Sequence, residues 1–216
     1  MKNLERTKTY ISVDIEAALI RGKQYIIEIG AVKWLPDGTT ETFTQLIQPY
    51  KFKRLNAHIQ QLTGIKTEQL LDAPSFKEAF LKFKRWCKQD YVFLTFGEFD
   101  RKVLEEELTR NYINQDCLYP MIDFQQKYMI AQGVKEQPSL GGLMEHLGLE
   151  TDTQHRALAD AVSLLEIFKV VNGEELIRQQ QTTEFVLLLT NFRMLEETYD
   201  LVISTTSCSV EDGKIH

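Results

Sequence analysis

The 216-residue sequence predicts an α/β domain on a mixed central sheet. Three observations lead there. Three β-rich segments come early and are joined by short connections. Later apolar runs of strand length are each followed by a helical pattern. A late helical segment is apolar on most sides, which only a central position can satisfy.

Tyr10-Ile11-Ser12-Val13-Asp14-Ile15-Glu16 is rich in β-branched and aromatic residues and reads as the first strand, ending at its two acids. After a break at Arg21-Gly22-Lys23, Tyr25 to Val32 predicts a second strand. Gly30 inside it predicts close approach by another backbone or a packed helix. Pro36-Asp37-Gly38 signals a turn before a third strand, Thr42 to Ile47. The short connections make these three an antiparallel meander. Leu55 to Leu62 has helical spacing, closed by Thr63-Gly64-Ile65.

Ser75 followed by Glu78 predicts a capped helix start, with Phe76, Ala79, Phe80 and Phe83 on one stripe and Lys77, Lys82, Lys84, Arg85 and Lys88 elsewhere. Tyr91 to Phe96 predicts a short buried strand, broken at Gly97 to Asp100, with a helix through Val103, Leu104 and Leu108. Tyr119 to Phe124 predicts another strand leading into a helix. Ser139 caps a helix ended by Gly148, and Arg156 to Val171 is the central helix. From Glu174 a tail follows in which Phe185, Leu188, Leu189, Phe192 and Leu195 recur at helical spacing. That stripe predicts packing on the domain or on a second subunit, so a homodimer is one expectation. Ser204 to His216 is polar. The chain therefore divides into a domain over 1–173 and a helical extension with polar tail over 174–216.

Composition narrows the classes of function. Net charge is -6, which argues against holding nucleic acid by overall positive charge but leaves room for a local basic rim and an acidic metal site. The three cysteines, Cys87, Cys117 and Cys208, have neither metal-knuckle nor disulfide spacing, so a reducing cytoplasmic setting is expected. The first eight residues lack an apolar core, so no signal peptide is expected, and no run is long enough to span a bilayer.

Strand side chains alternate, so Asp14 and Glu16 share the face opposite Val13 and Ile15. Two neighbouring carboxylates in an apolar segment repel and resist burial, and a hard divalent cation is the simplest remedy. Taken alone, the pair is a weak signal and describes two solvated acids at a strand end. Asp100 after the fourth strand and Asp160 in the central helix add two more acids, with His155 just ahead of the latter. Alone, Asp100 describes a helix start favoured by the dipole, Asp160 an acid paired in the core, and His155 a loop histidine. Together they can converge at strand ends of an α/β sheet.

Val13-Asp14-Ile15-Glu16, Phe96-Gly97-Glu98-Phe99-Asp100 and His155-Arg156-Ala157-Leu158-Ala159-Asp160-Ala161, in that order, resemble the three motifs of the DEDDh 3′-to-5′ exonucleases. The intervening Ile27-Glu28-Ile29-Gly30-Ala31-Val32, Thr63-Gly64-Ile65 and Ala73-Pro74-Ser75-Phe76 look like the same family. The likeness covers about Tyr10 to Asn172. The second motif departs from the commoner His-Asn-x2-Phe-Asp and looks more like the branch related to ERI-1 exoribonucleases and KapD-like proteins.

The resemblance implies a ribonuclease H-like fold and two Mg²⁺ or Mn²⁺ ions roughly 4 Å apart on the scissile phosphate. It implies Asp14, Glu16, Asp100 and Asp160 as ligands and His155 as general base. It sets the backbone at Ala17 against the terminal nucleotide, Leu62 and Gly64 on the opposite wall, and Phe99 as a side chain that either stacks on a base or packs in the fold. The activity implied is release of nucleoside 5′-monophosphates from single-stranded 3′ ends, RNA slightly favoured. A DNA-directed exonuclease is the alternative, as is a nucleic-acid-binding regulatory protein of the same fold.

Overall fold

A computed structural model describes residues 8–150, 156–187 and 190. Five strands form one sheet in the order β3-β2-β1-β4-β5. They are β1 (Thr9–Ile20), β2 (Lys23–Trp34), β3 (Thr40–Leu46), β4 (Tyr91–Thr95) and β5 (Met121–Asp123). β1, β2 and β3 pair antiparallel, while β4 runs parallel to β1 and β5 parallel to β4. The sheet is mixed, as the sequence predicts.

β1 differs from expectation in one respect that bears on the site. It does not end at Glu16 but runs on to Ile20. The reason is a tight hairpin: Arg21 and Gly22 both take positive φ, 52° and 78°, the geometry of a two-residue turn matched to strand twist. Ala17–Ile20 thus gains partners in Lys23–Ile26. The register slips between Glu16, opposite Glu28, and Ala17, opposite Ile26, so that Ile27 is the extra residue of a bulge. The two acids sit in mid-strand beside this bulge.

Helices α1 (Ala57–Thr63), α2 (Thr67–Leu71), α3 (Phe76–Cys87), α4 (Phe99–Arg110), α5 (Phe124–Gln132), α6 (Leu140–His146) and α7 (Ala157–Val170) surround the sheet. The expected helix over Leu55 to Leu62 starts two residues later, where the Asn56 side chain accepts from the His58 N–H. The five-residue α2 has no counterpart in the sequence reading. α3 starts as predicted, with Ser75 and Glu78 forming a reciprocal capping box.

The odd-numbered β1 residues Ile11, Val13 and Ile15 form the main core with Phe76, Phe80 and Phe83 of α3 and Val103, Leu104 and Leu108 of α4. The opposite face receives α7: Tyr10 meets the Phe168 ring at 4.9 Å, and Phe168 also contacts Trp34 and Phe124. Farther along that face, Ala18 and the bulged Ile27 pack with Phe52, Leu55, Ile65 and Leu70. This smaller core carries α1 and α2.

The chain divides into two compact units, Met1–Gly173 and Glu174–His216. In the second, residues 174–187 are helical. Leu188, Leu189, Phe192 and Leu195, most of the apolar stripe expected there, lie outside the described residues. Among the described residues, no helix is long and apolar enough to cross a membrane.

Candidate active site

Alternation along β1 turns Asp14 and Glu16 towards α7. Asp14 lies opposite Gly30 of β2, and Glu16 opposite Glu28. Gly30 has no side chain because there is no room for one. A Cβ there would lie 2.1 Å from the backbone carbon of Ala157 and the nitrogen of Leu158. The first turn of α7 therefore sits directly on the sheet, and Asp160, also in that turn, reaches the two strand acids. Oxygens of Asp14, Glu16 and Asp160 all lie within 4.8 Å of one another.

Glu28 fixes the start of α7. Its carboxylate is 1% exposed and accepts from Arg156 Nε at 3.0 Å, Arg156 Nη2 at 2.5 Å and the Ala157 N–H at 3.3 Å. Thr44 donates to it across the sheet at 3.3 Å. An unmet N–H of the helix start and an otherwise uncompensated buried acid thus satisfy each other. The arginine also lies close enough to Glu16 to favour its charged form.

Asp100 arrives from another direction. β4 stops at Thr95, and Asp100, 5% exposed in the first turn of α4, accepts the Ile15 N–H. The turn before it is held by Asp123, whose carboxylate accepts the Gly97 N–H at 2.9 Å and caps α5 through the Gln126 N–H at 3.2 Å. Gly97 takes φ 96°, a conformation that side chains disfavour.

Electrostatics ties the four acids together. Burial holds the Asp14 carboxyl well above the usual carboxylate range, reinforced by Asp100, Asp160, Glu16 and Glu28. Burial, then Asp160, Glu28 and Asp100, push Glu16 up to about 8. Burial, then Asp160 and Asp123, push Asp100 up to about 8 against the Ile15 hydrogen bond. Neutral-pH ionisation of such a cluster needs added positive charge. A donor set made only of carboxylate oxygens suits a hard divalent cation, so these residues fit Mg²⁺ or Mn²⁺.

The structure thus brings together Asp14, Glu16 and Asp160 as a cluster, with Asp100 near enough for its charge to repel those of Asp14 and Asp160. His155 lies outside the described residues. Ala17 follows the bulge directly. Leu62, 42% exposed, and Gly64, the left-handed cap of α1, belong to the helix beside the smaller core on the same sheet face. Phe99 is 52% exposed beside buried Asp100, so packing in the core does not account for it. Sequence reasoning gave no role to Glu28, Arg156 or Asp123. The signals were present: an acid inside an apolar strand, a cation at a helix entrance and an aspartate just ahead of a helix.

Residues 11–168 match the RNase T family model, described as an exonuclease. The chain is 27% identical over 178 residues to the probable 3′-5′ exonuclease KapD of Bacillus subtilis, across 78% of this chain and 87% of that protein. It is 30% identical over 162 residues to the DNA polymerase III epsilon subunit of Aquifex aeolicus, across 74% and 78%. Its fold is similar to the nuclease domain of 3′hExo, a DEDDh family member solved bound to rAMP, with TM-score 0.68 and 23% identity over 78% of this chain and 92% of the other. It is also similar to Escherichia coli exonuclease I in complex with a dT13 oligonucleotide, with TM-score 0.61 and 15% identity over 76% and 41%.

Proposed function

Since the chain belongs to the RNase T exonuclease family, we propose that it is a metal-dependent 3′-5′ exonuclease of the DEDDh type releasing nucleoside 5′-monophosphates from single-stranded ends, with RNA slightly favoured over DNA. The observation that carries this reading is the convergence of Asp14, Glu16 and Asp160 within 4.8 Å, with buried Asp100 near enough to feel the Asp160 charge.

Asp14, Glu16, Asp100 and Asp160 hold two Mg²⁺ or Mn²⁺ ions in this reading. When bound, such ions neutralise charge on the scissile phosphate and acidify water at neutral pH. His155 takes the proton of the attacking water. The backbone at Ala17 lies along the terminal nucleotide, Leu62 and Gly64 form the facing wall, and the half-exposed Phe99 stacks on a base. Glu28 and Arg156 keep α7 seated so that Asp160 stays within reach of the strand acids.

RNA preference draws on the likeness to the protein solved with rAMP. DNA is the second reading, favoured by the polymerase subunit among the relatives. A cytoplasmic location accords with the unpaired Cys87 and Cys117, and a homodimer contact through the extension rests on its apolar spacing from Phe185 to Leu195. End-labelled RNA and DNA incubated with Mn²⁺, Mg²⁺ or EDTA test the main claim. Stepwise shortening of RNA that EDTA abolishes is expected; DNA-only shortening selects the second reading, and inertness on both with either metal ends both.

A further inference from the structure

The outer face of α3 is a second charged surface, across the sheet from the acid cluster. α3 is pinned in one orientation. Phe76, Ala79, Phe80 and Phe83 are buried in the main core, and the buried Lys33 ammonium donates to the Trp86 carbonyl at 2.7 Å. What remains outside is basic. From Phe76 to Lys88 there are five basic residues to one acid, in a chain whose net charge is -6. The one acid, Glu78, is occupied at the helix start by Ser75. Lys82 is engaged with Gln45 at 2.8 Å.

Lys77, Lys84, Arg85 and Lys88 are exposed, and none makes an ion pair or side-chain hydrogen bond with another described residue. Glu41, the acid that feels Lys88, is held by Lys33 at 2.8 Å. Leu81, Lys84, Arg85, Lys88 and Gln89 line one shallow depression of about 630 Å³. These positions fall three and four residues apart, so like charges crowd one side of the helix and repel. The helix dipole favours cations in the last turn, but it does not require them to converge on a concavity.

We propose that this face binds the phosphate backbone of a polynucleotide, so that the protein grips the body of its substrate on α3 while the 3′ end occupies the acid cluster. The inference rests on the nucleic-acid reading given above. Unpaired cations with no aromatic lining and one exposed leucine suit backbone contact, which carries no sequence information, rather than base stacking. The basic face answers a need that the acid cluster leaves open: the cluster offers phosphate no positive charge of its own until metal arrives, and contacts at a distance supply the residence.

The triple substitution Lys84→Gln, Arg85→Gln, Lys88→Gln tests this on the full chain, since all three side chains are exposed and outside the acid cluster. Binding of a labelled strand of roughly thirty nucleotides, followed by anisotropy in EDTA, should weaken about 10- to 100-fold at low salt, and the slope of log K against log salt should fall by about 2. Hydrolysis of a trinucleotide with Mn²⁺ should be unchanged, while kcat/KM on the long strand falls. Unchanged affinity and salt slope would overturn the proposal. So would displacement of the strand by poly-glutamate as readily as by unlabelled strand of matched charge, which would point to an acidic protein instead. If the wild type hydrolyses neither strand but the variant still loses binding, the surface stands and the exonuclease reading falls.

Discussion

Glu28 and Arg156 are 128 residues apart in sequence and form a two-point contact, Nε and Nη2 of the arginine meeting the two carboxylate oxygens at 3.0 and 2.5 Å. The pair is asymmetric: the glutamate is 1% exposed, the arginine side chain 39%. Losing Arg156 strands a buried charge. Losing Glu28 leaves a guanidinium that can turn to water.

Substitutions of the two residues should therefore differ. Arg156→Ala is expected to destabilise by about 3 kcal/mol or more. Glu28→Gln, which keeps an acceptor for the Ala157 N–H, should cost about 1–2 kcal/mol. Urea denaturation of both variants measures this. Equal losses, or a larger one for Glu28→Gln, would contradict the asymmetry.

Gly30→Ala should act on the site through the helix. The added methyl meets backbone atoms of Ala157 and Leu158 at 2.1 Å, and backbone cannot swing aside as a side-chain end can. We expect a loss of about 3 kcal/mol or more, at the upper end for overpacking, together with weakened Mn²⁺ binding because Asp160 moves away from Asp14 and Glu16. Calorimetric titration at a temperature where the variant is folded separates the two effects. Unchanged Mn²⁺ affinity would show that α7 need not sit so close.

The pH dependence of stability should change direction with metal. Glu16 and Asp100 have carboxyls raised to about 8 in the fold, and Asp14 is raised as well. A raised acid binds its proton more tightly folded than unfolded, so its contribution is complete below the unfolded value near 4 and lost as pH climbs through the folded value. In EDTA the melting temperature should fall between about pH 5 and pH 9. Saturating Mn²⁺, which takes the deprotonated acids, should reverse most of that fall and stabilise more as pH rises. A metal-free melting temperature that rises over this interval would refute the clustering of charge.

His155 and Asp160 should fail differently. Asp160→Asn removes a ligand charge and should lower both Mn²⁺ affinity and rate, while relieving repulsion on Asp14, Glu16 and Asp100 in the metal-free protein. His155→Ala should leave Mn²⁺ affinity nearly intact and slow the chemical step by about 10²–10⁴-fold. Single-turnover cleavage paired with Mn²⁺ titration distinguishes them. A wild-type rate in His155→Ala removes it as general base; a loss of Mn²⁺ affinity equal to that of Asp160→Asn would make it a ligand.

Much of this was legible in the residues themselves. Alternation along Tyr10 to Glu16 placed Asp14 and Glu16 on one face, Gly30 announced a close backbone, and Ser75 with Glu78 marked a helix start, because each is a local rule of spacing, size or capping. The order of the three motifs pointed to the family. Tertiary structure alone decided where β1 stops, since the strand outlasts its acids only because a hairpin supplies partners for Ala17–Ile20. It alone showed that Glu28 holds Arg156 and the start of α7, and that Asp123 holds the turn ahead of Asp100. Both are acids whose partners lie far away in sequence. The intrinsic preference of a residue is local and can be read in order along the chain. The identity of the group that neutralises a buried charge is a contact between distant segments, and it exists only once the chain has folded.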